Sequence, residues 1–191
     1  MRIVNIRTSL AAAALILVAG CEKAGTNGDG NAPVPAEAAE AAGNATIADG
    51  IASSASDSKF VAATKSIGLD KTLAGPGPYT VLVPSDAAFD KLKAGSLDKL
   101  MKPESRAELT SVLTYHILPG TILVADIDKA IDNGKGKAVL ATMNGATLTA
   151  TKDGDKIVLT DAAGTKAVIA GVEDKRSNGA VHQIDAVLMP S

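Results

Sequence analysis

The most informative pattern lies in residues 77–92, GPYTVLVPSDAAFDKL. Residues 79–83 are aromatic, β-branched or aliphatic without interruption, which predicts a strand buried on both faces. Pro84 predicts its end, because proline has no N–H for a ladder. Ser85 stands where a helix N-cap belongs, and Asp86 suits the positive end of that helix. Phe89 and Leu92 then share one helical face, with Asp90, Lys91 and Lys93 turned elsewhere. Phe89 is one of only two phenylalanines, so it is expected to anchor a core.

Upstream, Ile47 and Ile51 suggest a short helix weakened by Gly50. Asp57 could cap a second, whose stripe is Phe60, Val61, Thr64 and Ile67 and whose stop is Gly68. Leu69 and Leu73 continue the apolar pattern up to Gly75-Pro76-Gly77-Pro78, a run of backbone breakers. Downstream, Gly95 ends one helix and Ser96 can start another over 97–101. Pro103 and the box Ser105-Arg106-Ala107-Glu108 predict a third helix, with the stripe Leu109, Val112, Leu113, His116 and Ile117. Pro119-Gly120 turns the chain.

From there the period changes. Residues 121–124 read as a strand and 126–131 as a helical turn. Residues 138–143 and 146–151, joined by Asn144-Gly145, give a hairpin signal with a two-residue type I′ turn. Further strands follow at 157–160, 166–170 and 181–188, separated by Gly- and Asp-containing turns. Helices with one early strand, then a series of antiparallel strands, make an α+β fold.

The first twenty residues differ from all of this. Arg2 and Arg7 precede an apolar stretch over 10–20 that is too short to span a bilayer but fits a signal peptide. It ends Val18-Ala19-Gly20-Cys21, which resembles the bacterial lipobox, in which the peptidase cuts before a cysteine that is then acylated. Cys21 is the only cysteine, so no disulfide can form within the chain. Residues 21–45 are rich in Gly, Ala, Pro, Asn and Glu and lack the apolar surface needed to offset ordering entropy. They are expected to form a lipidated flexible tether reaching roughly 25–30 Å. Several acyl chains on Cys21 would exceed the single-chain limit for stable anchoring in a lipid bilayer.

Three blocks of the remaining chain, in order, resemble the signatures of the fasciclin domain family: TVLVPSDAAF at 80–89, LTYHILPG at 113–120 and NGAVHQIDAVLMP at 178–190. Gln183 departs from the family pattern, where an aliphatic residue is common. The resemblance covers residues 46–191 and implies a fasciclin-like β-sandwich or wedge with a helical cluster packed against it. It also implies a non-catalytic adhesion or interaction module, and in some animal members the segment matching Tyr115 and His116 is implicated in adhesion.

Charge and chemistry narrow the function further. The formal net charge is −2, the pI about 5.7 and aromatic content 2%, which provides neither phosphate attraction nor base stacking and argues against a nucleic-acid partner. No nucleophile elbow, His-Glu-x-x-His, phosphate loop or paired-cysteine motif occurs, so no cofactor is implied. Asp126, Asp128 and Asp132 begin like a calcium loop but lack its glycine and closing glutamate. The two histidines, His116 and His182, each fall on an apolar face, which suggests buried imidazoles held by local hydrogen bonds. Asp86 and Asp185, the carboxylates within the signature blocks, suggest helix capping and strand fixing.

These features describe a membrane-anchored module of the bacterial cell envelope with an unidentified protein or glycan partner. The alternative is an envelope small-ligand carrier or sensor using a pocket between helices and sheet. Glu22 is not the aspartate associated with inner-membrane retention, which favours the outer membrane.

Overall fold

The computed structural model describes residues 45–190; the signal segment, Cys21 and all but the last residue of the tether lie outside them. Three helices, α1 (Ile47–Ser53), α2 (Ser58–Ile67) and α3 (Leu69–Leu73), lead to strand β1 (Tyr79–Pro84). Helices α4 (Asp86–Asp90), α5 (Ser96–Leu100) and α6 (Arg106–Tyr115) follow, then β2 (Ile117–Pro119) and α7 (Val124–Asn133). The chain finishes with β3 (Lys137–Ala141), β4 (Thr147–Asp153), β5 (Lys156–Thr160), β6 (Lys166–Arg176) and β7 (Gly179–Ile184).

The strands form one sheet in the order β2-β1-β7-β6-β5-β4-β3. All neighbours are antiparallel except β1 and β7, which run parallel with Leu82 beside His182. β6 carries a bulge between Ala170 and Asp174, opposite the middle of β7. Beyond β3 the Met143 N–H donates to the Ile117 carbonyl of β2 at 2.8 Å, so the two ends of the sheet meet at that point.

β1 is buried on both faces because it separates two cores. Val81 and Val83 pack with Phe60, Phe89, Leu109, Val112 and Val181 on the helical side. Leu82 packs with Tyr115, Ile127, Ile131, Leu148, Leu159 and Ile184 on the other. This explains the unbroken apolar run, and the strand–stop–helix unit forms as its pattern predicts: Ser85 Oγ accepts from the Ala88 N–H at 3.3 Å, and Phe89 is buried.

Several local expectations are corrected. Residues 121–124 are not a strand. The Ile122 N–H donates to Thr80 Oγ1 at 2.7 Å rather than to a ladder, and Val124 opens a ten-residue helix. The box at Ser105 and Glu108 does not form: Ser105, at φ −96° and ψ 9°, makes no cap bond, and a 3-10 turn over Pro103–Ser105 runs into α6. A capping side chain needs extended backbone at its own position to reach back. The hairpin between β3 and β4 exists, but its turn has three residues. Gly145 is left-handed, at φ 89°, and Asn144 is not. Gly145 N–H donates to Thr142 O at 3.0 Å and Thr142 N–H to Ala146 O at 2.9 Å, the pattern of a type I turn closed by a bulge. The last strand stops at Ile184, short of residue 188, and the chain continues as a pinned segment.

Candidate functional site

The second and third signature blocks meet around the C-terminal segment. Tyr115 closes α6 and is fully buried; its hydroxyl donates to the Thr147 carbonyl at 3.0 Å. His116 follows it, with 1% of its surface exposed. Its Nε2 lies 3.2 Å from the Leu188 N–H, which can only donate, so Nε2 is the bare nitrogen. Nδ1 therefore carries the proton and donates to the Val112 carbonyl at 2.8 Å. Burial pushes the pKa of His116 down to about 4, only partly opposed by the Val112 carbonyl and by Asp161. The imidazole is neutral, with both nitrogens engaged and the rings of Phe60 and Tyr115 edge-on to it.

His182 is equally buried. Its Nε2 donates to the Ile122 carbonyl at 2.8 Å, which holds the strap before α7 against the sheet. Its Nδ1 is buried and has no hydrogen-bond partner among the described residues. The two histidines flank Leu82: the His116 carbonyl accepts the Leu82 N–H at 2.8 Å, and His182 is the register partner of Leu82. Among the described residues no hydrogen bond joins either ring to a carboxylate.

The two carboxylates also serve the fold. Asp86 sits in the first turn of α4 but caps a different helix. Its Oδ1 accepts the Lys59 N–H at 2.8 Å and its Oδ2 the Ser58 hydroxyl at 2.5 Å. It takes the place expected for Asp57, which makes no cap bond and instead accepts from Gln183 and Ser56. Partial burial raises the pKa of Asp86, but the bonds from Ser58 and Lys59 outweigh it and leave the carboxyl below its usual range. Asp185 Oδ1 accepts the Val168 N–H at 2.7 Å, and Lys91 Nζ donates to both the carbonyl and the carboxylate of Asp185. Here too burial raises the pKa, and the bonds from Val168 and Lys91 reverse the shift.

Three further polar residues matter that the pattern did not single out. Asp161 is buried; it accepts from the Thr165 N–H at 2.8 Å and from the Met189 N–H at 2.9 Å. His116 and Asp161 thus hold the consecutive amides of Leu188 and Met189. Asn178 accepts the Ile47 N–H at the start of α1 and donates to the carbonyls of Leu73, the last residue of α3, and Gly75 just after it, each at 2.8 Å. Glu173, re-aimed by the β6 bulge, accepts the Val124 N–H at the start of α7 at 2.6 Å. Asp161 and Asn178 read in the sequence as ordinary turn residues, since both types favour turns whatever else they touch.

Among the described residues no group of three or more His, Cys, Asp or Glu is placed to hold a metal ion. The acidic run on α7 is taken up internally: Lys152 Nζ lies 2.9 Å from Asp128 and 2.8 Å from Asp132, and Asp126 accepts the Leu123 N–H. An open groove of about 520 Å³ lies between α7 and the β4–β5 turn, floored by Val124, Ala125 and Ile157 and walled by Asp128, Lys152 and Glu173. No described helix is long and apolar enough to cross a membrane.

Comparison with known proteins agrees with this architecture. Residues 56–190 match the family model of the fasciclin domain. The chain is 34% identical over 146 residues to Protein sll1483 of Synechocystis sp., covering 76% of this chain and 73% of that protein. It is 37% identical over 124 residues to the cell surface glycolipoprotein MPB83 of Mycobacterium bovis, covering 65% of this chain and 49% of that one. It is 36% identical over 114 residues to the immunogenic protein MPB70 of the same species, covering 60% and 51%. The chain thus spans about half the length of these mycobacterial relatives. A solved pair of FAS1 domains from the insect cell adhesion molecule fasciclin I superposes with a TM-score of 0.67 at 18% identity, over 75% of this chain and 50% of that one. By its family match, its relatives and its fold, the chain belongs to the fasciclin domain family.

Proposed function

We propose that this protein is a non-catalytic interaction module displayed at the bacterial cell surface, a fasciclin domain held to the lipid bilayer through acylated Cys21. The observation that carries the reading is the internal use of the signature polar groups. Tyr115, His116, Asp86 and Asp185 each bond to backbone within the domain, and no described histidine is hydrogen-bonded to a carboxylate or serine as general acid–base catalysis requires. Function then rests on the outer surface, presented to a protein or glycan. The surface location of the mycobacterial glycolipoproteins and the adhesion role in the name of the insect molecule support this.

Palmitate labelling of cells carrying the full chain, followed by fractionation, tests the anchor. Label and protein should appear together in the membrane fraction, outer membrane in a two-membrane cell, and Cys21→Ser should lose both. Label retained in that variant would overturn the anchor. A second reading, a small-ligand carrier, is favoured by the groove beside α7, whose size lies within the range of ligand sites. Native mass spectrometry of the protein taken from its own envelope decides between them: a bound small molecule lost in Ile157→Glu supports the carrier, and a mass equal to the acylated chain alone supports the interaction module.

A further inference from the structure

We propose that residues 186–190 are an acid-opened latch: a proton taken up on His116 Nε2 releases the chain beyond Asp185 from both cores while β7 stays in the sheet. The segment alternates between the cores, with Val187 buried in the helical one and Leu188 in the other. Among the described residues, 186–190 make no backbone–backbone hydrogen bond. Two titratable side chains hold their amides instead. His116 Nε2 accepts the Leu188 N–H at 3.2 Å, and Asp161 Oδ2 accepts the Met189 N–H at 2.9 Å. The residue before them is fixed differently. The Asp185 N–H donates to the Val168 carbonyl at 3.2 Å, its Oδ1 accepts the Val168 N–H at 2.7 Å, and Lys91 Nζ donates to its carbonyl. Asp185 is thus a hinge post with a sparsely bonded segment beyond it, the kind of unit that opens at a lower free energy than the whole domain.

The bond to Leu188 works in one protonation state only. Nδ1 already donates to the Val112 carbonyl, so a second proton must go on Nε2, which then points one donor at another. The neighbours of the ring do not relieve that conflict while the latch is shut. α2 sets Phe60 against it, and α6 sets Tyr115, whose hydroxyl is bonded to Thr147. β1 meets the backbone, through the Leu82 N–H on the His116 carbonyl. Asp161 is the charged group whose field favours the proton, and its two oxygens are taken by the Thr165 and Met189 amides. Burial therefore keeps the pKa of the closed ring down to about 4, against the pull of the Val112 carbonyl and Asp161. A ring uncovered by the departing segment titrates near 6.5. As pH falls between those values the open form binds a proton that the closed form does not, so opening gains about tenfold per unit and levels off below 4. Burial raises the pKa of Asp185, but the bonds from Val168 and Lys91 outweigh it, so the post stays charged while the latch lets go. Opening empties the seats of Val187 and Leu188, and acid thereby exposes an apolar slot that neutral pH keeps covered.

Hydrogen exchange read by NMR on the full chain in detergent, from pH 7 to pH 4 and corrected for the intrinsic rate, tests the latch. The Leu188 and Met189 amides should exchange about a hundredfold faster at pH 4 than at pH 7. At every pH they should also exchange faster than two reference amides that open only with the whole domain. These are Val168, held by the hinge post, and Leu82, held by the His116 carbonyl. His116→Gln has no proton to gain in this window, so the acid rise should disappear. The comparison among amides of the parent decides the matter even where that variant does not fold. Three results would overturn the proposal: Leu188 and Leu82 amides that exchange at one common rate, Leu188 exchange that is flat between pH 7 and pH 4, or an acid rise retained in folded His116→Gln.

Discussion

The carboxylate of Asp86 accepts the backbone N–H of Lys59, 27 residues earlier in the chain, at 2.8 Å. Through this bond the signature block after β1 closes the N-terminus of α2, and Ser85 caps α4 one residue away. Two helices therefore start from adjacent side chains, which makes the Ser-Asp pair a joint between helical cluster and sheet.

Asp86→Ala should cost about 1–2 kcal/mol, the usual range for a lost N-cap, and Asp86→Asn, which keeps one acceptor, should cost less. The Asp86 pKa is lower in the folded state. Its contribution is therefore present above the unfolded carboxyl value near 4 and is lost as pH falls below it. Urea unfolding of parent and variants at pH 7 and pH 3 checks both size and sign: the gap should narrow in acid.

His116 titrates over a higher window. Its folded pKa is about 4, against about 6.5 when unfolded. Between those values the unfolded chain binds a proton that the folded chain does not, so stability falls as pH drops from 6.5 to 4 and the loss is complete below 4. The loss is about 3 kcal/mol. In His116→Gln this part of the pH slope should vanish, and stability at pH 7 should also fall because the Leu188 N–H or the Val112 carbonyl loses its partner. Denaturant midpoints at half-unit intervals from pH 7 to pH 4 measure it; an unchanged slope in the variant would assign the proton elsewhere.

Asn178 joins the start of α1 to the end of α3. Asn178→Ala strands the Ile47 N–H and the Leu73 and Gly75 carbonyls, at a cost of about 3 kcal/mol. Asn178→Asp keeps the bond to Ile47 but turns an acceptor toward two carbonyls, so it should be no better. Thermal unfolding ranks them, and equal melting of parent and Asn178→Asp would refute the donor role.

Gly179 opens β7 at φ 149°, and a Cβ there would lie 1.8 Å from the Tyr79 carbonyl. Gly179→Ala must separate β1 from β7 at their first pair, with an expected cost above about 3 kcal/mol. Circular dichroism and melting of Gly179→Ala beside Gly164→Ala, which has open space around its Cβ, separate crowding from backbone strain.

The α+β class and the unit from Tyr79 to Phe89 were legible because one run of residues carries both a two-faced strand and a capped helix. The hairpin at Asn144-Gly145 was legible as a hairpin, but the same dipeptide serves two turn geometries, and the fold chose the one with Asn144 right-handed. Residues 121–124 misled because Ile-Leu-Val favours strands, whereas here tertiary partners, the Thr80 hydroxyl and the Glu173 carboxylate, take their amides. Of the site residues, His116, Asp86 and Asp185 stood out by their blocks. Asp161 and Glu173 lie outside the blocks, and Asn178, which opens the third, read only as a turn residue, since each acts on an element far away in sequence and leaves no periodic trace. The parallel pairing of β1 with β7 was equally hidden, because nothing local in either strand names its neighbour.

That pairing sets Tyr79 beside Gly179 and Pro84 beside Ile184, so the middle of the sheet joins two segments far apart along the chain. Contacts of such long sequence separation form late and slowly. Until β7 and the residues up to Met189 have emerged, β1 has no parallel neighbour and the amides held by His116 and Asp161 do not yet exist. A chain threaded N-terminus first through a narrow pore would therefore keep this domain open until β7 and the segment after it had cleared.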